Sequence, residues 1–120
     1  MSLAKRLNEI MKEKGWDVAH LAENSRLNVN ECYKIMRGVN TTPSIELILS
    51  ISLGGELLSV EREELLKLAG HSWQNASVVQ LAYQYIIDKI PHCTVTEFNS
   101  AYIELKIVPL NTAPLRDILV

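Results

Sequence analysis

The sequence predicts a mainly α-helical chain, with five short helices in residues 1–70, a sixth helix after them and a small β-hairpin further on. Apolar residues recur at helical spacing through much of residues 3–90, and helix-capping residues precede several of these stretches. After residue 92 the pattern changes to β-branched and aromatic residues in alternation with polar ones. We therefore expect a helical domain over residues 1–70 and an extension over residues 71–120.

The composition is typical of a globular protein, with 48% hydrophobic and 22% charged residues. No apolar run reaches the roughly 18 residues of a membrane span, and the first residues lack the apolar stretch of a secretory signal. We therefore expect a cytoplasmic protein with no membrane partner, in which Cys32 and Cys93 stay reduced. The net charge of -2 does not by itself indicate a nucleic-acid binder.

Capping residues set the bounds of the first two helices. Ser2 is a favourable cap and Gly15 a stop for a helix with four inward apolar residues, which are Leu3, Leu7, Ile10 and Met11. Asp17 is a favourable cap for the second helix. That helix is expected to end within residues 24–26, because their side chains compete for backbone hydrogen bonds.

The third helix is predicted to follow a tight turn. Asn28 can cap it, with Glu31 three residues later completing a capping box, and Gly38 stands where a left-handed helix end belongs. Helical spacing divides its residues into an inward face of Cys32, Ile35 and Met36 and an outward face of Val29, Asn30, Tyr33, Lys34 and Arg37.

Three more helices are predicted before residue 91. Residues 45–53 alternate like a strand, but entry through Pro43 and Ser44 favours a helix, and its apolar residues would need cover on more than one side. The fifth helix is expected to be capped by Ser59 and to stop at Gly70. A sixth should begin after Ser77 and end before Pro91.

Two interpretations of residues 93–108 remain open. Two β-branched and aromatic runs around Asn99 and Ser100 favour a hairpin, whereas a capping box from Thr94 to Glu97 favours a helix. We prefer the hairpin, and we expect its second strand, from Tyr102 to Val108, to pair with a second copy of the chain. Residues 109–120 are expected to form an irregular arm.

The spacing of apolar and turn residues between Leu21 and Ser44 resembles the helix-turn-helix of the Cro and phage-repressor family, often called XRE. The matching residues are Leu21, Ala22, Leu27, Cys32, Ile35, Arg37, Gly38, Pro43 and Ser44. The resemblance runs from about Leu3 to Gly70, and it implies a five-helix, repressor-like DNA-binding domain. The chain departs from the family at Arg26, where the turn usually has glycine.

The resemblance also implies roles for individual residues, because in the family the helix over residues 29–37 lies in the DNA major groove. The residues expected to contact bases are Val29, Asn30 and Lys34. Those expected to contact the DNA backbone are Tyr33, Arg37, Asn40, Thr41, Thr42 and Ser44. Between residues 26 and 40 the charged side chains are Arg26, Lys34, Arg37 and Glu31, so this stretch is locally basic.

The expected function is therefore sequence-specific transcriptional regulation, most simply repression, by a homodimer formed through residues 71–120. The alternative is a protein-interaction module, antitoxin-like or anti-repressor, with the same fold and little affinity for DNA. We expect no enzymatic activity, because His92 and Cys93 have no third catalytic partner in the pattern. No metal-ligand spacing or glycine-rich phosphate loop is present, so no metal or cofactor is expected.

Overall fold

The computed structural model describes residues 2–73, 77–89 and 93–107, and within these ranges it contains seven helices and no strand. The described residues form two compact units, with the boundary between Ser72 and Trp73. The prediction of a mainly α-helical chain is confirmed for this part of the protein. None of the described helices is long and apolar enough to span a membrane.

The first unit contains five helices, which are α1 (Leu3–Lys14), α2 (Val18–Ser25), α3 (Val29–Met36), α4 (Ile45–Gly54) and α5 (Ser59–Leu68). Helix α2 packs against α3 and α4, and α1 packs against α3 and α5. The core of the unit is apolar, and its fully buried side chains include Leu7, Ile10, Met11, Leu21, Ile35, Ile48, Ile51 and Leu65. Helix α3 is thereby held against the core by the two helices that precede it.

Helix caps in this unit occur largely where the sequence predicts them. The side chains of Ser2, Asp17 and Ser44 each accept a hydrogen bond from a backbone N–H in the first turn of α1, α2 and α4. Gly15 and Gly38 have positive φ values of 68° and 76°, as expected for left-handed helix ends. The capping residues therefore account for most helix bounds by local chemistry alone.

The predicted cap of α5 is wrong by one residue. Ser59 is the first residue of the helix, and the N-cap is Leu58. Leu58 has no side-chain acceptor for the first turn, but its own N–H donates to the carboxylate of Glu61 at 2.8 Å. Glu61 thus satisfies one backbone donor at an end that lacks a polar cap.

The helical interpretation of residues 45–53 is confirmed by α4. Seven of the ten residues in α4 are buried, and the helix contacts α2 and α5. The backbones of α4 and α2 come very close at Gly54, where an added Cβ would lie 2.6 Å from the Cα of Ser25. The absence of a side chain at Gly54 is therefore what lets the end of α4 meet the backbone of α2.

The second unit contains α6 (Val78–Lys89) and α7 (Val95–Ile107), which pack against each other. The hairpin predicted for residues 93–108 is wrong, since residues 95–107 are helical. The capping box forms, with the N–H of Thr94 donating to the Glu97 carboxylate and the N–H of Glu97 donating to the Thr94 hydroxyl, each at 3.1 Å. Strand pairing through Tyr102–Val108 is accordingly not available to residues 102–107, and Val108 and residues 109–120 lie outside the described residues.

Helical spacing lets α7 make two ring contacts that a hairpin strand could not make together. Phe98 and Tyr102 are four residues apart, so they lie on one face of the helix, and both rings contact Tyr83 of α6. The ring centroids are 5.8 Å and 4.8 Å from that of Tyr83. A strand would separate these two rings by about 13 Å along the chain, at 3.3 Å per residue, and would lose one of the contacts.

Candidate nucleic-acid interface

A short turn connects α2 to α3. Arg26 has φ 57° and ψ 38°, a left-handed conformation that ends α2. The N–H of Leu27 then donates to the carbonyl of Ala22 at 3.0 Å, and Asn28 begins the cap of α3. The change of direction therefore depends on an arginine in a backbone conformation that glycine adopts more easily.

Asn28 is the N-cap of α3 as predicted, but its side chain bonds to Asn30 and not to Glu31 as the predicted capping box requires, because the N–H of Glu31 donates to the backbone carbonyl of Asn28. The side-chain oxygen of Asn28 accepts a hydrogen bond from the N–H of Asn30 at 2.8 Å. This bond holds the backbone of the first turn of α3 at Asn30. The side chain of Asn30 itself is exposed. Asn30, which is expected to contact a base, thus stands two residues after the residue that caps the helix.

The two faces of α3 differ in the way that helical spacing predicts. Cys32 and Ile35 are buried and Met36 is half-buried, whereas Glu31 and the five residues predicted to face outward are exposed; those five are Val29, Asn30, Tyr33, Lys34 and Arg37. Val29 and Tyr33 are each 38% exposed, which is high for apolar and aromatic side chains. The exposed surface of α3 therefore presents an aliphatic, an amide, an aromatic and two cationic groups to solvent, together with the carboxylate of Glu31.

Burial raises the pKa of the Cys32 thiol to about 11, with a smaller contribution from the negative charge of Glu31. The thiol is protonated at neutral pH, and it serves as a small apolar group between α3 and the core. Within the part of the chain that the structure describes, no three His, Cys, Asp or Glu residues are arranged to hold a metal ion.

Tyr33 and Arg37 interact with each other on the exposed face of α3. The guanidinium carbon of Arg37 lies 4.8 Å from the centroid of the Tyr33 ring, which is within the range of a cation–π contact. Residues four apart on a helix are neighbours, so the pair is a direct consequence of the sequence spacing. The contact limits the positions available to the Arg37 side chain without burying its charge.

The loop after α3 begins by folding back onto the last turn of that helix. The N–H groups of Val39 and Asn40 both donate to the carbonyl of Lys34, at 2.8 Å and 2.9 Å. The Asn40 side chain is half-buried, and its oxygen accepts a hydrogen bond from the N–H of Thr42 at 3.2 Å. The oxygen of the Asn40 amide group is therefore used within the loop itself.

The other loop residues expected to contact the DNA backbone are Thr41, Thr42 and Ser44, and all three are exposed. The Ser44 oxygen accepts from the N–H of Leu47 at 3.2 Å, so its hydroxyl hydrogen is still available to donate. Pro43 between them is buried, and its carbonyl accepts a hydrogen bond from Nε2 of His71 at 2.6 Å. His71 thus fixes the base of the loop.

Sequence reasoning did not identify Asn8 or His71. Each bonds to a backbone carbonyl that is 28 residues away, Asn8 to Met36 and His71 to Pro43. Neither bond follows from helical periodicity, because both depend on how the helices pack. An exposed asparagine within an amphipathic helix is a common feature, so the sequence carries no signal that could have distinguished Asn8.

The chain was compared with protein-family models, with curated proteins and with solved structures, and none of these comparisons found a match. The function is therefore inferred from the site itself.

Proposed function

We propose that the chain is a sequence-specific regulator of transcription, most simply a repressor, which binds double-stranded DNA as a homodimer. In this proposal α1–α5 form a repressor-like domain of the Cro and phage-repressor type, and residues 29–37 lie in the major groove. The observation that carries the proposal is the face of α3, on which five exposed side chains suited to DNA stand opposite a buried apolar face.

The base contacts are assigned to the N-terminal part of α3. The amide of Asn30 can bond N6 and N7 of an adenine together, and the ammonium of Lys34 can donate to O6 and N7 of a guanine. Val29 can pack against the methyl group of a thymine. All three side chains are exposed, and the cap at Asn28 holds the first turn of α3 in place.

The phosphate contacts are assigned to the C-terminal half of α3 and to the loop that follows it. Arg37, held beside Tyr33, supplies a cation, and Tyr33 supplies a hydroxyl donor. The exposed loop groups of Thr41, Thr42 and Ser44, together with the amide of Asn40, supply neutral donors. Because few of these groups are cationic, binding to random DNA should be weak and only moderately dependent on salt.

A homodimer is proposed because a pair of α3 helices would read two half-sites about 34–36 Å apart on one face of the duplex. We assign the contact to residues 71–120. In the described part of that unit, Ile103 is 57% exposed and Tyr85 is 36% exposed, so apolar side chains of α6 and α7 remain accessible. Helix-to-helix pairing replaces the strand pairing that the sequence suggested.

One observation favours the alternative of a protein-interaction module with little affinity for DNA. Residues 1–70 carry nine Lys and Arg against ten Asp and Glu, so this unit has no overall positive charge. Exposed apolar side chains lie elsewhere on it, with Leu58 at 60% and Val60 at 71% exposure. An antitoxin-like or anti-repressor role would use such a surface rather than α3.

Selection from a random pool of duplexes tests the proposal. The full chain should enrich one sequence with two-fold symmetry, whose half-sites are about one helical turn apart. A chain with Asn30→Ala and Lys34→Ala together is the matched control, because both residues are exposed and their loss should leave the fold intact. Failure of the wild-type chain to enrich any sequence beyond this control would favour the interaction module.

A further inference from the structure

The C-terminal end of α3 needs hydrogen-bond donors for its last four carbonyl groups, since no N–H within the helix donates to them. Three of them bond to backbone N–H groups that follow directly. Tyr33 accepts from Arg37 at 2.9 Å, Lys34 accepts from residues 39 and 40, and Ile35 accepts from Gly38 at 3.1 Å. The fourth carbonyl, that of Met36, must find its partner elsewhere.

That partner is Asn8 on α1. The side-chain nitrogen of Asn8 donates to the carbonyl of Met36 at 2.8 Å and to the carbonyl of Ala4 at 2.8 Å. An amide NH2 group has two hydrogens, so both donors are used. Asn8 therefore links α1 to the final carbonyl of α3. With this bond, each of the last four carbonyl groups of α3 accepts a hydrogen bond.

The backbones of the two helices are also close at this point. A Cβ added to Gly38, just after α3, would lie 3.9 Å from the Cβ of Ala4. The small side chain of Ala4 and the absence of one at Gly38 let the end of α3 approach α1. The bond from Asn8 then fixes the rotation and position of that end, which packing of small groups alone would leave adjustable.

We infer that Asn8 is a positioning residue for α3, and, resting on the proposed function, that it sets how Asn30 and Lys34 meet the bases. Asn8 acts at the end of α3 opposite the Asn28 cap, so an asparagine side chain holds each end of the helix. A change in the axis of α3 by a small angle would displace the base-contacting groups from hydrogen-bonding geometry.

The test replaces Asn8 by leucine, which has nearly the same shape but no hydrogen-bond donor or acceptor. In the free full-length protein, amide exchange at Arg37 and Gly38 should accelerate about threefold or more, because the Arg37 amide belongs to the same peptide group as the Met36 carbonyl. Asn24→Leu is the matched control. The Asn24 amide bonds to His20 within α2, so its loss should leave exchange at the end of α3 unchanged.

The second readout is DNA binding, measured well below the unfolding temperature of each variant. The dissociation constant for the selected duplex should rise about tenfold in Asn8→Leu, while that for random duplex should stay within about twofold. A merely structural role would not change this ratio. Asn8→Asp removes the same two donors and serves as a second variant if the leucine variant does not fold.

The outcomes separate this inference from the proposed function. Unchanged exchange at Arg37 and Gly38 overturns the inference whatever the protein binds. Faster exchange with an unchanged ratio of the two dissociation constants also overturns it, since Asn8 would then affect stability alone. A wild-type chain that does not discriminate between duplexes contradicts the proposed function, and the exchange result still decides whether Asn8 fixes the end of α3.

Discussion

The guanidinium of Arg37 lies over the ring of Tyr33, with 4.8 Å between its central carbon and the ring centroid. Both residues are exposed on α3, and the contact holds a cation at the edge of the proposed DNA-binding surface. A side chain that is already restricted loses less conformational entropy when it binds a phosphate. The pair therefore provides a specific test of the phosphate contacts.

Arg37→Ala should weaken binding to specific and random duplex by a similar factor, and it should lower the slope of log affinity against log salt by about 1. Tyr33→Leu should produce part of this loss, because the ring that holds Arg37 is gone. Tyr33→Phe is the control, since it keeps the ring and removes only the hydroxyl. Equal affinities for the leucine and phenylalanine variants would contradict a positioning role for the ring.

Base readout is tested by single substitutions at Asn30 and Lys34. Each change to alanine should cost about 1–3 kcal/mol at the selected site and relax the preference at one base pair. Affinity for random duplex should change little for Asn30→Ala, which removes no charge. If both variants keep the wild-type affinity and preference, α3 is not the element that reads the bases.

Gly54→Ala should destabilise the first unit by about 3 kcal/mol, because the new Cβ would overlap the backbone of Ser25 and force α2 and α4 apart. Gly15→Ala is the matched control. Gly15 has φ 68° but nothing within 4 Å of an added Cβ, so only the backbone strain of about 1 kcal/mol remains. Denaturant unfolding measures both values, and equal losses would show that the α2–α4 contact can relax.

Arg26→Gly should stabilise the first unit by about 0.5–1 kcal/mol, since glycine adopts the left-handed conformation at φ 57° without strain. The gain is reduced by the greater entropy of glycine in the unfolded chain. The unfolding midpoint in urea measures the change. A loss of stability would mean that the Arg26 side chain contributes more than the strain costs.

Self-association of the full chain is tested by sedimentation at tens of micromolar. We expect a dimer, and we expect Ile103→Glu to shift it towards monomer, because a charge would replace an exposed apolar side chain at the proposed contact. Val60→Glu is the control, since Val60 is exposed on the first unit. A monomeric wild-type chain, or a dimer lost in the control alone, would refute the assignment to residues 71–120.

The helices of the first unit could be predicted well because their ends are set by local chemistry. Asp17, Asn28 and Ser44 act as caps through bonds that span two or three residues, and Gly15 and Gly38 end helices by backbone freedom. These bonds join residues that are close in sequence, so they can be predicted from a single sequence.

The second unit shows where local reasoning fails. The β-branched residues of 93–108 favour a strand, while the capping box at Thr94 and Glu97 favours a helix, and the two preferences are close in strength. The contacts of Phe98 and Tyr102 with Tyr83 decide between them. Those contacts are between helices, so they could not be derived from the segment itself.

The candidate site also has some features that the sequence predicts and others that depend on how the helices pack. The exposed and buried faces of α3 follow from helical spacing, and the pairing of Tyr33 with Arg37 could have been derived from their separation by four residues. The hydrogen bonds from Asn8 and His71 could not, because each joins groups 28 residues apart. Sequence patterns therefore predict which side chains face outward, but not what holds the helix and the loop that carry them.

The most direct test of the central claim is the affinity of the full chain for a selected duplex relative to a scrambled duplex of the same composition, measured across a range of salt concentrations. We expect the selected duplex to bind about 10³-fold more tightly or better, and both affinities to fall as salt rises. Equal affinities for the two duplexes, or no binding of either at low salt, would contradict sequence-specific recognition through α3.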